Sequence, residues 1–216
     1  MKAYVITIMD NPNSLAAAKR CIESGAKHGC DVEHFKAVTP VDNPQKMMEE
    51  RQLPCINFIT DAQKYSRYQN VIAAFLSHYS LWEQSVRDEE EIMILEHDAV
   101  FVDQLRDFNY DKVISIGRPS YGKWNSPSSL GVVPLQSKKY FPGAHAYIVK
   151  PEGAHELMVQ ASVNAGPTDV FLHTDTFPWL QEYYPWPVEA WDSFTTIQRV
   201  EGCTAKHNYS RKYRVI

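Results

Sequence analysis

Cysteines are few in this chain and none forms a close pair. Cys21, Cys30, Cys55 and Cys203 make no CxxC motif, and a zinc site built from Cys21, His28 and Cys30 would need further ligands at spacings the sequence does not offer. The expectation is reduced, structural thiols. No apolar run approaches the ~20 residues that span a bilayer. The opening "MKAYVITIMDN" lacks the basic flank, apolar segment and small-residue cleavage site of a signal peptide. These features predict a chain made and kept in the cytoplasm. An excess of positive charge is missing too: 22 Lys and Arg face 26 Asp and Glu, a net charge of −4. Nothing general therefore draws the chain to nucleic acid or an anionic membrane. The one basic cluster, "KHNYSRKYR" from Lys206 to Arg214, reads first as a solvated tail and second as a contact for phosphate or lipid headgroups. Internal repeats and low-complexity tracts are also absent.

What is present suits a folded globular protein. Hydrophobic residues make up 44% and charged residues 22%, with five Trp, twelve Tyr and nine Phe in 216 residues, a length that favours one domain. "AYVITIM", Ala3 to Met9, reads as a strand, and "NPNSLAAAKRCIESGAKHG" as a helix capped by Asn13 or Ser14 and ended by Gly25 or Gly29. "DVEHFKAV" then alternates like a second strand. A β-α-β opening implies a parallel pair and puts Asp10 and Asn11 at the carboxyl end of the first strand, where open α/β sheets bind ligands. Residues 39 to 67 read as a long functional loop with a helical patch near Lys46 to Arg51. Val71, Phe75, Tyr79, Trp82 and Val86 then fall at steps of 4, 4, 3 and 4, with Ile72 and Leu76 widening the stripe, which predicts a long buried helix. "EIMILEHDAVF" follows as a central strand, "KVISIG" as another, and Ala144 to Lys150 as a third that leads into a helix at Pro151. The Pro, Gly and Ser-rich stretch containing Trp124 reads as a flap.

The chemistry concentrates at Glu96, His97 and Asp98, which interrupt an apolar run. On a strand, residues i and i+2 share a face, so Glu96 and Asp98 would converge while His97 looks away. Two oxygen ligands of this kind suit Mn²⁺ or Mg²⁺ holding phosphate oxygens. The plain alternative is a polar strand end solvated by water.

Four ordered blocks between residues 70 and 175 carry a resemblance: "AAFLSHYSLWEQSV" at 73–86, "IMILEHDAVF" at 92–101, "GAHAYIVKPEGAHEL" at 143–157 and "PTDVFL" at 167–172. Together they resemble glycosyltransferase family 25, the lipopolysaccharide-type and collagen-type sugar transferases. The resemblance implies an α/β, GT-A type Rossmann-like single domain with a mostly parallel central sheet. Its nucleotide-binding half would cover about 1–102, its acceptor-side half about 103–205 and a basic tail 206–216. It further implies inverting transfer from a nucleotide sugar, most simply a UDP-sugar, to a hydroxyl on a glycan, lipid-linked saccharide or protein, and a part in lipopolysaccharide synthesis. Glu96 and Asp98 fall on the outer carboxylates of the family's acidic triplet and become metal ligands, with His173 or His207 as a late third ligand.

The donor is assigned to Thr7, Asp10, Asn11, Ser77, His78, Gly143 and His145, and the catalytic base to Asp169 with Asp175 and Glu182 in reserve. Asp169 reads equally as a helix cap, and His78 reads as a hydrogen-bonded core residue. Trp124, Trp179, Trp186 and Trp191 are candidates for stacking on an acceptor sugar, although most Trp here pack in the core. The family's "INLxxRxxR" opening is replaced by "ITIMDNPNSLAAAKR", where Arg20 is the first arginine. With His97 in the triplet, that change keeps open a silent sugar- or partner-binding member, while the basic tail keeps open a transferase acting on modified nucleic-acid bases.

Overall fold

The computed structural model describes residues 1–58, 67–191, 194–197 and 214–215. His207 and nearly all of the basic tail lie outside the described residues. The opening is the expected β-α-β unit: β1 (Lys2–Thr7), α1 (Pro12–Lys27) and β2 (Val32–Lys36), with β1 and β2 parallel. Asn11, rather than Asn13 or Ser14, caps α1, its side-chain oxygen accepting the Asn13 and Ser14 N–H groups. Pro12 dictates this, because its missing N–H costs nothing at the first helical position. Gly25 lies inside the helix, and Gly29 follows its end at φ +80°.

Residues 39–58 are more ordered than the loop expected from their Pro and Asn content. Two one-turn 3₁₀ helices, Pro40–Asp42 and Ile56–Phe58, flank α2 (Pro44–Glu50), which occupies the anticipated helical patch. The long helix is α3 (Tyr68–Asp88). It buries Ile72, Phe75, Leu76, Tyr79 and Trp82 as its stripe predicts, leaves the stripe's ends Val71 and Val86 half-buried, and also buries Ala73, Ser77, His78 and Leu81. The reason is that α2 and the later helix α4 (Pro151–Asn164) both pack against it, so more than one side is covered.

The run expected as one central strand is two. β3 (Ile92–Glu96) stays in the main sheet, residues 97–98 turn, and β4 (Ala99–Phe101) pairs antiparallel with β9 (Val188–Ala190) in a separate ribbon. β5 (Val113–Ser115), β6 (Gly131–Pro134, within the expected flap), β7 (Ala146–Val149) and β8 (Gln181–Tyr184) complete a seven-stranded sheet of order β2-β1-β3-β7-β5-β8-β6. β1, β2, β3, β5 and β8 point one way and β7 and β6 the other. The chain is therefore α/β with a mostly parallel central sheet. A four-residue helix, α5 (Thr168–Phe171), precedes β8, and the two-residue strands β10 (Phe194–Thr195) and β11 (Arg214–Val215) pair parallel. Among the described residues no helix is long and apolar enough to cross a membrane.

Strand alternation splits the core between the two faces of the sheet. Ile6, Ile92, Ile94, Tyr147 and Val149 pack under α3 and α4. Ala3, Val5, Met93, Leu95 and Ile148 pack under α1 with Ala18 and Cys21. Because the chain leaves β1 for β2 on one side and returns to β3 on the other, the carboxyl ends of β1 and β3 form a topological switch point.

Gly153 inside α4 shows how tightly the layers fit, since a Cβ there would lie 2.6 Å from the Lys112 carbonyl oxygen. Gly→Ala in a helix ordinarily stabilises by about 1 kcal/mol. Here Gly153→Ala should instead destabilise by about 1–3 kcal/mol through overpacking, seen as a lower urea midpoint. An unchanged or raised midpoint would show that the layers can separate.

Candidate active site

A cavity of about 400 Å³ occupies the switch point. Its walls come from the end of β1 and the residues after it (Ile6, Ile8, Asp10, Asn11), from Ala37–Val41 after β2, from α3, and from Glu96 at the end of β3 and His97 after it. Small side chains make the room: α3 turns Ala73, Ala74 and Ser77 toward it, between the larger residues that fill the core. Ser77 also closes one wall, its hydroxyl accepting the Val38 N–H at 2.9 Å and donating to the Ala73 carbonyl at 2.9 Å.

Among the described residues, Glu96 is one of two carboxylates on the cavity wall, with Asp10; it is one-third exposed, and a buried relay aims it. Trp82 Nε1–H donates to the Tyr147 oxygen at 2.9 Å. The tyrosine proton can then reach His78 Nδ1 at 3.0 Å, which leaves the imidazole proton on Nε2, 3.2 Å from Glu96 Oε1. Burial lowers the His78 pKa to about 3, so the ring is neutral and the contact with Glu96 is a hydrogen bond rather than an ion pair. In this arrangement every donor in the chain has an acceptor, as buried polar groups require. His78 is thus a hydrogen-bonded core histidine, the plain reading of it, and it also contacts the Glu96 carboxylate at the cavity wall.

His97, in the turn after β3, also contributes to the cavity wall, while its ring is tied toward α1. Its Nδ1 lies 3.2 Å from the Ser14 hydroxyl, and its ring stacks on Phe194 with centroids 5.0 Å apart. Ser14 in turn accepts the Ile8 N–H at 2.9 Å, which ties the acidic turn to the start of α1.

Asp98 departs from the expected geometry. It lies in the turn after β3 rather than on the strand, so the shared-face rule does not apply to it, and it is not on the cavity wall. Its carbonyl accepts the Trp191 N–H at 2.9 Å, and its charge acts on His97, Cys21 and His145. Among the described residues no three His, Cys, Asp or Glu side chains converge to hold a metal ion. The described residues alone thus build no cage. A Mg²⁺ or Mn²⁺ ion that draws its other ligands from water and substrate phosphates needs only one or two carboxylates, and Glu96 on the wall of a roomy cavity fits that role.

The remaining candidates divide. Asp10 and Asn11 line the cavity, Asn11 while capping α1. Thr7 does not: it is buried, donating to the Val5 carbonyl and meeting His34 Nδ1 at 2.9 Å. Gly143 sits at φ +101° with the Ser120 hydroxyl where a Cβ would be, so it is a turn glycine. His145 is buried against Gly117 and neither ring nitrogen has a hydrogen-bond partner among the described residues; burial lowers its pKa, while Asp98 and Glu189 oppose this.

Asp169, the expected base, belongs to a different cluster. In α5 it accepts the Tyr121 hydroxyl at 2.5 Å, and burial raises its pKa. Lys138 bridges that cluster to Tyr140, and His173, expected at the metal, stacks on Tyr140 and accepts the Asp175 N–H. Neither Asp169 nor His173 reaches the cavity wall, because Tyr121 and Tyr140 hold α5 and the chain after it to the flap. Asp175 is exposed and pairs with Lys139. Glu182 is buried and engaged by the Gln136 and Ser137 N–H groups and by Trp186 Nε1, which leaves it a structural role. Residues not singled out from sequence include Tyr147 and Trp82 of the relay and Thr39, Arg67 and Asn70 on the cavity wall. Trp82 and Tyr147 both stood within the resembling blocks.

A family model described as glycosyltransferase family 25 (LPS biosynthesis protein) matches residues 1–126. The match takes in the N-terminal stretch that departs from the family's arginine pattern, and it ends before the blocks at 143–157 and 167–172. A protein from Anopheles gambiae described as a glycosyltransferase 25 family member is 35% identical over 75 residues, 34% of this chain and 13% of that protein. The match therefore spans only a small part of the relative's length. A solved structure of a CTP:phosphocholine cytidylyltransferase from Streptococcus pneumoniae covers 87% of this chain and 91% of that chain, at 9% identity and a TM-score of 0.36, a likeness too loose to carry an argument.

The relay yields two expectations. Tyr147→Phe leaves the Trp82 Nε1–H and His78 Nδ1 without partners in the core and should cost about 1–3 kcal/mol in urea unfolding; no cost would contradict the relay. Unfolded imidazole titrates near 6.5 and folded His78 near 3, so the unfolded chain binds the extra proton between those values. Stability due to His78 is thus complete above pH ~6.5 and declines as pH falls through that window, by about 2 kcal/mol near pH 5. His78→Gln should shallow the slope of unfolding free energy against pH, and an unaltered slope would mean that the folded ring takes up its proton over the same pH range as the unfolded one.

Proposed function

We propose, on the premise that the chain belongs to glycosyltransferase family 25, that it transfers a sugar from a nucleotide sugar to an acceptor hydroxyl. The reading rests on one observation: a cavity at the carboxyl ends of β1, β2 and β3 carries a carboxylate, Glu96, oriented by the buried chain Trp82–Tyr147–His78. Such a fold is of GT-A type, and the cavity is the place for the donor, a UDP-sugar being the simplest. Asp10, Asn11, Thr39 and Asn70 offer polar contacts for ribose and base along the wall, and the apolar Ile6, Ile8 and Val41 offer a surface for the flat ring.

Glu96 would hold a Mn²⁺ or Mg²⁺ ion whose other ligands come from water and the donor phosphates. Such an ion supplies positive charge against the diphosphate as it leaves. The protein's own contribution is to fix the carboxylate, since His78 Nε2–H occupies Oε1 and restrains its rotation. It also keeps the wall dry behind Glu96, where Tyr147 and Trp82 are fully buried. Inversion at the sugar follows if transfer is a single displacement by the acceptor hydroxyl.

A thermal-shift screen of UDP-sugars with Mn²⁺ tests this reading, because a ligand that binds the native state raises the melting temperature with occupancy. The wild type should shift with at least one nucleotide sugar, and Glu96→Gln should lose the metal-dependent part while keeping its own melting temperature. A wild type that no nucleotide or nucleotide sugar shifts would sink the proposal.

A further inference from the structure

The fold sorts the four candidate tryptophans. Trp186 donates to buried Glu182 at 3.1 Å and packs edge-on to Tyr184, and Trp179 packs on Phe177 beneath the Lys112 ammonium. Trp191 differs, because 47% of it is exposed and yet it is fixed from several directions. Its Nε1–H donates to Glu189 Oε2 at 3.4 Å, its carbonyl accepts Arg20 Nη2 at 3.2 Å, and the Arg20 guanidinium lies 5.8 Å over its ring. Glu189 Oε1 accepts Arg118 Nη1 at 2.8 Å, and the Arg118 guanidinium lies 5.8 Å over Trp124. Indole, carboxylate, guanidinium and indole thus follow one another along a single strip. Arg118 is 41% exposed there and Glu189 21%.

The strip begins at the acidic turn. The Trp191 N–H donates to the Asp98 carbonyl at 2.9 Å, and the Arg118 N–H donates to the Val188 carbonyl of β9 at 2.8 Å. Asp98 and Glu189 are both close enough to act on His145. An indole left in water but held rigid has already lost the freedom that binding would otherwise remove.

We infer that Trp191, Glu189, Arg118 and Trp124 form a platform for a saccharide, the acceptor of the transfer reaction. The inference rests on the sugar-transfer reading above for the word acceptor, and on the strip alone for the word saccharide. The apolar C–H face of a pyranose packs on an indole, while a carboxylate accepts from ring hydroxyls and a guanidinium donates to them. The position beside the turn brings an acceptor next to the residues that follow Glu96, a carboxylate of the donor cavity.

The test is saturation-transfer NMR and tryptophan-fluorescence titration with lactose, maltose and cellobiose, run beside the thermal shift with UDP and Mn²⁺. The wild type should bind at least one disaccharide. Trp191→Ala and Trp124→Ala should each weaken it about fivefold, and Trp191→Phe, which keeps a ring, should lose less. All three variants should retain the wild-type melting temperature and the UDP shift. A wild type that binds none of the disaccharides, or binding unchanged in both alanine variants, overturns the platform. Disaccharide binding that depends on Trp191 in a protein that UDP does not shift upholds the platform and defeats the donor reading instead.

Discussion

Glu96 stands where a fully apolar strand runs out, and the hydrogen bond from His78 is the contact that makes that ending usable. The neutral imidazole, itself held by Tyr147, gives one oxygen a fixed direction without placing a buried positive charge beside it. The arrangement requires β7 beside β3, so that Tyr147 lies under α3, and it requires α3 to be long enough to carry both His78 and Trp82 over the same strand pair. The topology of the sheet and the aim of the carboxylate are thus one constraint. The reversal of β7 against its parallel neighbours puts Tyr147 opposite Ile94 and brings the His145 carbonyl to the Glu96 N–H.

The turn at residues 97–98 divides the chemistry between two surfaces. On the α3 face Glu96 looks into the cavity, and on the α1 face His97 is tied by Ser14. Asp98 reaches toward the ribbon of β4 and β9, where its carbonyl holds Trp191. A two-residue turn between strands of different sheets can present neighbouring residues to different partners, which a continuous strand cannot do. Gly117 and Gly143 serve the same corner by leaving room for His145.

Much of the fold could be read in the sequence because it depends on local spacing. The stripe of α3, the β-α-β opening and Pro151 at the start of α4 follow from helical and strand periods that neighbouring residues set. Asp10, Asn11, Ser77, His78 and Glu96 come together because each lies at or near the carboxyl end of β1 or β3 or on the helix above them. What periodicity could not supply was long-range pairing. Tyr147 meets His78 across 69 residues, and Tyr121 meets Asp169 across 48. Only the second contact reveals that Asp169 and His173 belong to the flap's own cluster. Asp98 was misplaced for a simpler reason: apolar residues resume at Ala99, so a break between two strands looks like one strand with a polar insertion.

The central claim is that Glu96 and its cavity hold the diphosphate end of a nucleotide sugar. The most direct measurement is a crystal structure with UDP and Mn²⁺ bound, with the ion located by its anomalous signal. The account predicts uridine along the Ile6–Asn11 and Ala37–Val41 walls, with the anomalous peak in coordination distance of a Glu96 oxygen. A nucleotide bound elsewhere, or an ion coordinated without Glu96, would contradict it.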